Sequence, residues 1–290
     1  NKMVNQRGAK AKGTVKRRSS SSSGKSRRSK KKKVVRNWTV PMWLYYVLMG
    51  CGSAFILICF YYFFIRPYSY RWKPCYGTRA YGVCLPSSFQ VHGFDISHHQ
   101  GDIDWDALQQ TQHTPFPIRF VFMKASEGGD FSDTTFTRNF DAARRHGFIR
   151  GAYHFYNPQT DAARQADFFI RSVKLEKGDL PPVLDVERVG DDANRLRKNL
   201  KIWLDSIERH YHVKPILYAS YKFKTRYLSD SIFNTYPYWI AHYYADSVQY
   251  KGEWKFWQHT DVGQLPGISE SVDLNVFNGS FDELKELTLK

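Results

Sequence analysis

One long uncharged stretch constrains this chain more than any other feature of its sequence. No charged residue occurs from Trp38 to Ile65 in the 290 residues. That is longer than the roughly 20 residues that a helix needs to cross the hydrocarbon core of a bilayer. A cleaved signal peptide would have a much shorter apolar region. We therefore predict an uncleaved transmembrane helix over residues 38–65, in contact with the lipid bilayer.

The residues before this stretch form a basic tail. Residues 1–36 contain 15 of the 43 Lys and Arg residues, no acidic residue, and many Ser and Gly residues. We expect this tail to be disordered, because it has too little apolar surface to offset the entropy of ordering. Basic residues beside a membrane span favour the cytoplasmic side. We therefore predict a single-pass protein with a cytoplasmic N-terminus and an extracytoplasmic remainder, at the periplasmic face of a bacterial inner membrane.

The residues after the tail carry almost no net charge. They hold 28 basic and 27 acidic residues, so the folded part lacks the basic surface that nucleic-acid binding requires. Residues 66–90 contain three prolines and two cysteines, and we predict that they form an exported linker. In an oxidising compartment Cys75 and Cys84 could form a local disulfide. Two free thiols are the alternative.

From residue 91 to residue 290, short β-rich segments alternate with amphipathic ones, which predicts βαβ units and a parallel sheet. Only short polar loops separate the last three β-rich segments. We predict an α/β fold, an irregular (β/α) barrel of about eight strands whose helices are reduced at the C-terminal end. The predicted strands are 91–97, 119–124, 151–156, 180–187, 215–220, 238–242, 255–259 and 272–277. The predicted helices are 134–146, 160–173 and 193–211, with a short one after residue 220.

Carboxylates lie at or near the ends of several predicted strands. Barrels of this class gather catalytic groups at the C-terminal ends of their strands, and the acids found there are Asp95, Asp185, Glu187 and Asp273. Asp185 and Glu187 are two positions apart, so their side chains would share one face of a strand. Clustered acids raise one another's pKa, so one of them can stay protonated near neutral pH. With Tyr and Trp nearby and no Cys, this pattern favours sugar chemistry; structural ion pairs are the alternative.

Four histidines near the same strand ends do not indicate a metal site. They are His98, His99, His154 and His242. Their spacing does not match the ligand patterns of bound zinc, and a histidine at a strand end commonly serves as a hydrogen-bonding partner. We therefore expect no metal and no organic cofactor. Lys124 and Glu127 could form an internal ion pair beside the predicted site.

Seven short motifs, in order, resemble one known family. They are Gly93-Phe-Asp-Ile-Ser97 with Gln100-Gly101, Phe122-Met-Lys-Ala-Ser-Glu-Gly128, Gly151-Ala-Tyr-His-Phe155, Leu184-Asp-Val-Glu187, Trp239-Ile-Ala241, Trp257-Gln258 and Val272-Asp-Leu-Asn275. Over about residues 91–280 the chain resembles glycoside hydrolase family 25, the Chalaropsis-type lysozymes or N-acetylmuramidases. The resemblance implies an irregular (β/α) barrel that cleaves the β-1,4 bond between N-acetylmuramic acid and N-acetylglucosamine in peptidoglycan.

The resemblance also implies roles for individual residues. Glu187 corresponds to the general acid, and Asp185 to the carboxylate that stabilises the developing positive charge or assists the substrate's own N-acetyl group. Asp95 and Asp273 correspond to two further acids of the site. The implied substrate contacts are Tyr153, Tyr218, Trp239 and Gln258. The implied partner is therefore the glycan strand of peptidoglycan, while the sequence indicates no oligomeric state.

Two functions of other classes remain open. One is a peptidoglycan-binding or scaffold protein that uses the same barrel with little or no turnover. The other is a nucleic-acid-binding membrane protein whose functional part is the basic tail. The presence of all four acids favours an enzyme over the first alternative, and the near-neutral charge of residues 91–290 limits the second alternative to the tail.

Overall fold

The computed structural model describes residues 39–66, 75, 77–243 and 245–290. The predicted disordered tail and the start of the predicted transmembrane segment lie outside these residues. The chain divides into two units, residues 1–65 and 66–290. In the first unit, α1 (Met42–Phe60) continues into a π-helical segment (Tyr61–Ile65). Together they form one 24-residue helix, the only one among the described residues that is long and apolar enough to cross a membrane.

The second unit contains a small hairpin and a large mixed sheet. The hairpin consists of β1 (Arg79–Ala80) and β2 (Val83–Cys84). The sheet consists of β3 (Val91–Ile96), β4 (Ile118–Glu127), β5 (Phe131–Ser132), β6 (Ile149–Phe155), β7 (Val183–Asp185), β8 (Ile216–Ser220), β9 (Tyr238–Ala241), β10 (Phe256–Gly263) and β11 (Val272–Phe277). Its hydrogen-bonded order is β3-β11-β10-β9-β8-β7-β6-β4-β5. Because β3 also pairs with β4, the sheet closes into a barrel of eight strands, with β5 attached outside the ring.

The last strand of the eight-strand ring runs against the direction of the others in that ring. Neighbouring ring strands from β3 to β10 are parallel, whereas β11 is antiparallel to both β10 and β3. The expectation of a parallel sheet is therefore wrong for this strand. Residues 264–271 are too few for the crossover of a dozen or more residues that a parallel strand needs. As a result, the start of β11 lies beside the ends of the parallel strands.

Helices cover the outside of most of the barrel. They are α2 (Trp105–Gln109), α3 (Phe136–Arg145), α4 (Ala162–Ser172), α5 (Ala193–Tyr211), α6 (Tyr221–Tyr227) and α7 (Phe281–Leu287). The Asp192 side chain caps α5 by accepting a hydrogen bond from the Arg195 N–H. Its apolar face buries Leu196, Leu200, Trp203, Leu204 and Ile207. The described residues between β9 and β11 form no helix, as the short loops in that part of the sequence predicted.

Aromatic and aliphatic side chains fill the barrel interior. This inner cluster includes Phe120, Phe122, Val183, Ile216, Trp239, Phe256 and Phe277. The rings of Phe122 and Trp239 stack with their centroids 4.4 Å apart. The interior is thus a packed core, as in other (β/α) barrels. Only its mouth, at the ends of the parallel strands, is available to polar groups.

The β1–β2 hairpin packs on the barrel unit. Its turn contains Tyr81 and Gly82, with φ angles of 53° and 77°. The Gln264 N–H donates to the Tyr81 carbonyl at 2.9 Å, and a disulfide joins Cys75 to Cys84 across the hairpin. Part of the predicted linker therefore contacts the barrel, and the predicted domain boundary at residue 91 stays a prediction.

Replacing both Cys75 and Cys84 with Ser is expected to lower the free energy of unfolding by about 2 kcal/mol. The disulfide restricts a short loop in the unfolded chain, and its removal restores that entropy. Urea unfolding of the full chain in detergent, followed by tryptophan fluorescence, measures the change. Replacement of Cys51 and Cys59 with Ser provides the control, because neither takes part in a disulfide. An unchanged unfolding midpoint in the Cys75/Cys84 variant would contradict the prediction.

Candidate active site

Four acids meet at the barrel mouth. Asp95 on β3 and Asp273 on β11 are direct partners in the antiparallel register. Asp185 is the last residue of β7. Glu187 lies two residues beyond β7, outside the strand in which the sequence pattern placed it. The antiparallel direction of β11 explains the position of Asp273, because the start of that strand lies beside the ends of the parallel strands.

Gln258 on β10 connects two of these acids. Its Nε2 donates to Asp95 Oδ2 at 2.8 Å and to Asp273 Oδ2 at 2.9 Å. Its Oε1 accepts hydrogen bonds from the Tyr218 and Tyr243 hydroxyls, both at 2.7 Å. Because carboxylates lie on one side of the amide and hydroxyl donors on the other, this orientation of the amide satisfies all four partners. The side chain is 2% exposed, so its hydrogen bonds are shielded from water.

Asn275 adds a second amide beneath the same acid. Its Nδ2 donates to Asp95 Oδ2 at 2.7 Å, and its Oδ1 accepts from the Trp239 indole N–H at 2.7 Å. Asn275 ends the motif Val272-Asp-Leu-Asn275, but the sequence predicted no role for it. A signal was present, because residues two apart in a strand share a face and Asp273 is the residue two positions earlier. Tyr243, which follows β9, gave no such signal.

Burial and mutual repulsion raise the pKa values of the paired acids Asp95 and Asp273. Burial raises the pKa of Asp95 to about 7, against the opposing effect of its two amide donors. Burial, together with the neighbouring charges of Asp95 and Asp261, raises the pKa of Asp273 to about 8. A carboxyl that is protonated near neutral pH can donate a hydrogen bond as well as accept one. The pair can therefore share protons between its members at physiological pH.

Asp185 and Glu187 differ in their exposure. Asp185 is 7% exposed, and its buried Oδ1 has no hydrogen-bond partner among the described residues. Burial raises the pKa of Asp185 well above its usual range, and the charges of Glu187 and Asp95 add to this effect. Glu187 has an exposed side chain, although the surrounding protein atoms still raise its pKa, opposed by Arg188 and Lys124. One carboxyl thus faces solvent and another is enclosed beside it.

The predicted sugar contacts lie at different depths. Tyr153 is half-buried. Burial is the main cause of a pKa far above the usual range, and the charges of Asp95, Asp185, Asp133 and Asp273 add to it. Tyr218 and Trp239 are only 6% and 2% exposed. In this structure Tyr218, Trp239 and Gln258 form the hydrogen-bonded and aromatic support of the acids. Their direct contact with a sugar, and that of Tyr153, stays a prediction.

Two of the histidines near the mouth have protein partners. His98 Nδ1 lies 2.9 Å from Asp133 Oδ2, and His154 contacts Ser126 Oγ at 2.8 Å and Gln165 Oε1 at 3.1 Å. Burial lowers the pKa of His154 to about 4, so it is neutral at physiological pH. Among the described residues, no three His, Cys, Asp or Glu side chains are arranged to hold a metal ion.

The comparison with protein families agrees with this geometry. The family model described as glycosyl hydrolases family 25 matches residues 94–268. The chain belongs to this family. The matched range contains Asp95, Asp185 and Glu187 and ends just before β11, so Asp273 lies outside it.

The chain is also similar to individual known proteins, of which we give three. It is 39% identical over 224 residues to the uncharacterized protein YegX of Escherichia coli K12, covering 77% of this chain and 80% of that protein. It is 30% identical over 223 residues to Lysozyme M1 of Streptomyces globisporus, covering 68% and 71%. The solved structure of a family 25 glycosyl hydrolase from Bacillus anthracis matches with a TM-score of 0.61 and 32% identity, covering 69% of this chain and 94% of that one. The predicted barrel is thereby confirmed, and the chain is a glycoside hydrolase.

Proposed function

We propose that this family 25 protein is a membrane-anchored lysozyme. It hydrolyses the β-1,4 bond between N-acetylmuramic acid and N-acetylglucosamine in peptidoglycan. The observation that carries the proposal is the group of four acids at the barrel mouth, two of them connected by Gln258. The similarity to Lysozyme M1 supports the same activity. A barrel used only for binding would not need carboxyls whose pKa values lie near neutral pH.

In this proposal Glu187 is the general acid. Its side chain is accessible to substrate, and its raised pKa favours the protonated form that the leaving glycosidic oxygen requires. Asp185 acts on the sugar whose glycosidic bond is cleaved. Its unpartnered Oδ1 can accept a hydrogen bond from the N–H of the substrate's N-acetyl group, or stabilise the positive charge that develops on the sugar ring. Asp95 and Asp273 hold the neighbouring water and protons through the shared Gln258 amide.

The apolar helix of the first unit supports an anchored protein. Met42–Ile65 is long enough to cross a bilayer, and the basic tail before it favours a cytoplasmic N-terminus. We place the barrel unit outside the cytoplasm, where the wall glycan is found. We also retain the proposed layout of a basic tail at 1–36, a span at 38–65, a linker at 66–90 and a hydrolase domain at 91–290.

Digestion of purified peptidoglycan tests the bond that is cleaved. We expect the full chain in detergent to release fragments whose new reducing ends are N-acetylmuramic acid, because protonation of the oxygen between the two sugars leaves the muramic acid carbon to react with water. Borohydride reduction followed by mass spectrometry identifies the reduced sugar. Reduced N-acetylglucosamine would indicate cleavage of the other glycosidic bond. Binding without new reducing ends would support a scaffold protein instead.

A further inference from the structure

One basic side chain beside the proposed general acid has no acidic partner. Arg188 directly follows Glu187, and its side chain is exposed. Its guanidinium carbon lies 5.2 Å from the centroid of the Phe155 ring, at the end of β6. Among the described residues, its guanidinium makes no hydrogen bond and no ion pair. The hydrogen-bonding capacity of this planar group is therefore available to a ligand.

The loop that carries Arg188 is fixed on both sides. Before it, the buried Val186 donates its N–H to the Tyr218 carbonyl at 3.0 Å. After it, Gly190 has a φ of 73°, and a Cβ at that position would lie only 2.9 Å from the Pro158 side chain. This close approach holds the loop against the segment that follows β6. The backbone on both sides of Arg188 is thus held in place, and its guanidinium carbon lies over the Phe155 ring within the distance of a cation–π contact.

The charges around Phe155 leave Arg188 unmatched. Lys124 lies over the same ring at 4.8 Å, but its Nζ is paired with Glu127 Oε2 at 2.6 Å. Glu187 must hold a proton to act as the general acid, and in that form it carries no negative charge. Of the two cations over the Phe155 ring, Lys124 and Arg188, Arg188 is then the one without a matching anion. A fork of N–H donors on a flat guanidinium fits a carboxylate with two parallel hydrogen bonds.

We propose that Arg188 binds a carboxylate of the wall glycan next to the bond that Glu187 cleaves. This inference rests on the proposed function and adds a substrate-recognition group to it. Peptidoglycan offers two sources of this chemistry: the carboxyls of the peptide stem, and the lactyl carboxyl of muramic acid once its peptide is removed. An anion bound there would also neutralise the charge of Arg188, which otherwise acts against the protonated form of Glu187.

Four substrates separate these possibilities. They are intact peptidoglycan and peptidoglycan stripped of its peptides by an amidase, each before and after conversion of its carboxyls to amides with carbodiimide and ammonia. Release of reducing ends is measured at low substrate concentration for the wild-type full chain and for Arg188→Gln. Arg145→Gln serves as the control, because Arg145 ends α3 at the opposite end of the barrel, just before β6 begins.

We expect the wild-type chain to cleave one unamidated substrate about tenfold faster than its amidated form, the effect of a charge-assisted hydrogen bond. Faster cleavage of the unamidated form of intact peptidoglycan identifies the peptide stem as the source of the bound carboxylate. Faster cleavage of the unamidated form of stripped peptidoglycan identifies the lactyl group. Arg188→Gln should abolish the preference, Arg188→Lys should restore part of it, and Arg145→Gln should retain it.

Two results would overturn the carboxylate site while leaving the lysozyme in place. In the first, the wild-type chain cleaves both members of each pair at equal rates. In the second, Arg188→Gln lowers all four rates by one common factor and keeps the wild-type preference. Failure of the wild-type chain to cleave any of the four substrates would instead refute the proposed function itself.

Discussion

Replacing Glu187 with Gln is expected to lower the rate of peptidoglycan hydrolysis about 1,000-fold, within the range for loss of a general acid. Glutamine keeps the size and polarity of the side chain but has no proton to give to the leaving oxygen. Because the side chain is exposed, the substitution should leave the barrel folded. The rate is measured as the release of reducing ends, and circular dichroism with thermal unfolding reports the fold.

The nature of the leaving group sharpens this test. An aryl glycoside of the same sugar, whose phenolate departs without protonation, should lose far less of its rate in Glu187→Gln than peptidoglycan does. A positioning role for Glu187 would reduce both rates equally. Glu208→Gln is the matched control, because Glu208 lies on α5 outside the barrel mouth. Retention of more than a tenth of the wild-type rate on peptidoglycan would remove Glu187 from the role of acid.

The periodic parts of this fold were predictable from the sequence. The spacing of apolar residues predicted a helix at 193–211 and a strand at 272–277, and the structure has both with the same bounds. The strand predicted at 180–187 is shorter, Val183–Asp185. Pro181 and Pro182 have no N–H to donate to a sheet ladder, and after Asp185 the chain leaves the sheet. Periodicity identifies the apolar run but does not show where its neighbouring strands end.

The connections within the site were less predictable. Gln258 was predicted as a substrate contact and Asn275 had no predicted role, although both donate to Asp95. These donors lie 163 and 180 residues from Asp95 in the sequence. The contact exists only because β11 closes the barrel against β3, in a direction that the predicted parallel sheet did not include. Arg188 was missed for a similar reason, since its contact with Phe155 depends on how two loops pack.

Release of protons from Asp95 and Asp273 is expected to lower the free energy of unfolding of the wild-type barrel by about 2 kcal/mol between pH 6.5 and pH 8. The pKa values of Asp95 and Asp273 are about 7 and about 8 in the folded protein, and near 3.9 in an unfolded chain. In this window the folded state keeps protons that the unfolded state has already released. Stability is therefore present at low pH and is lost as the pH rises through the folded values, by up to about 1.4 kcal/mol per pH unit for each group.

Buried histidines oppose the effect of the acids at the lower end of this pH window. Burial lowers their pKa values to about 4, 4 and 3 for His92, His154 and His259, from about 6.5 in an unfolded chain. Below pH 6.5 the unfolded state takes up protons that these folded histidines do not, so their contribution to stability falls as the pH falls. That effect opposes the effect of the acids. At pH 6.5 about half of these side chains are still protonated in the unfolded chain, so between pH 6.5 and pH 8 the histidines offset about 1 kcal/mol of the loss that the carboxyls cause.

Asp273→Asn should remove about two thirds of the loss that the two acids cause between pH 6.5 and pH 8, and make the variant more stable than the wild type at pH 8. Asparagine cannot ionise, and its Oδ1 can still accept the hydrogen bond that Gln258 Nε2 gives to Asp273. Urea unfolding in half-unit pH steps measures the slope, with Asp167→Asn on the exposed face of α4 as the control. A wild-type free energy of unfolding that rises by about 1 kcal/mol across the window, as the histidines alone would cause, would mean that both carboxyls are already ionised in the folded protein. The acids of the site would then have ordinary pKa values, and the proton sharing that we assign to the Asp95 and Asp273 pair would fail.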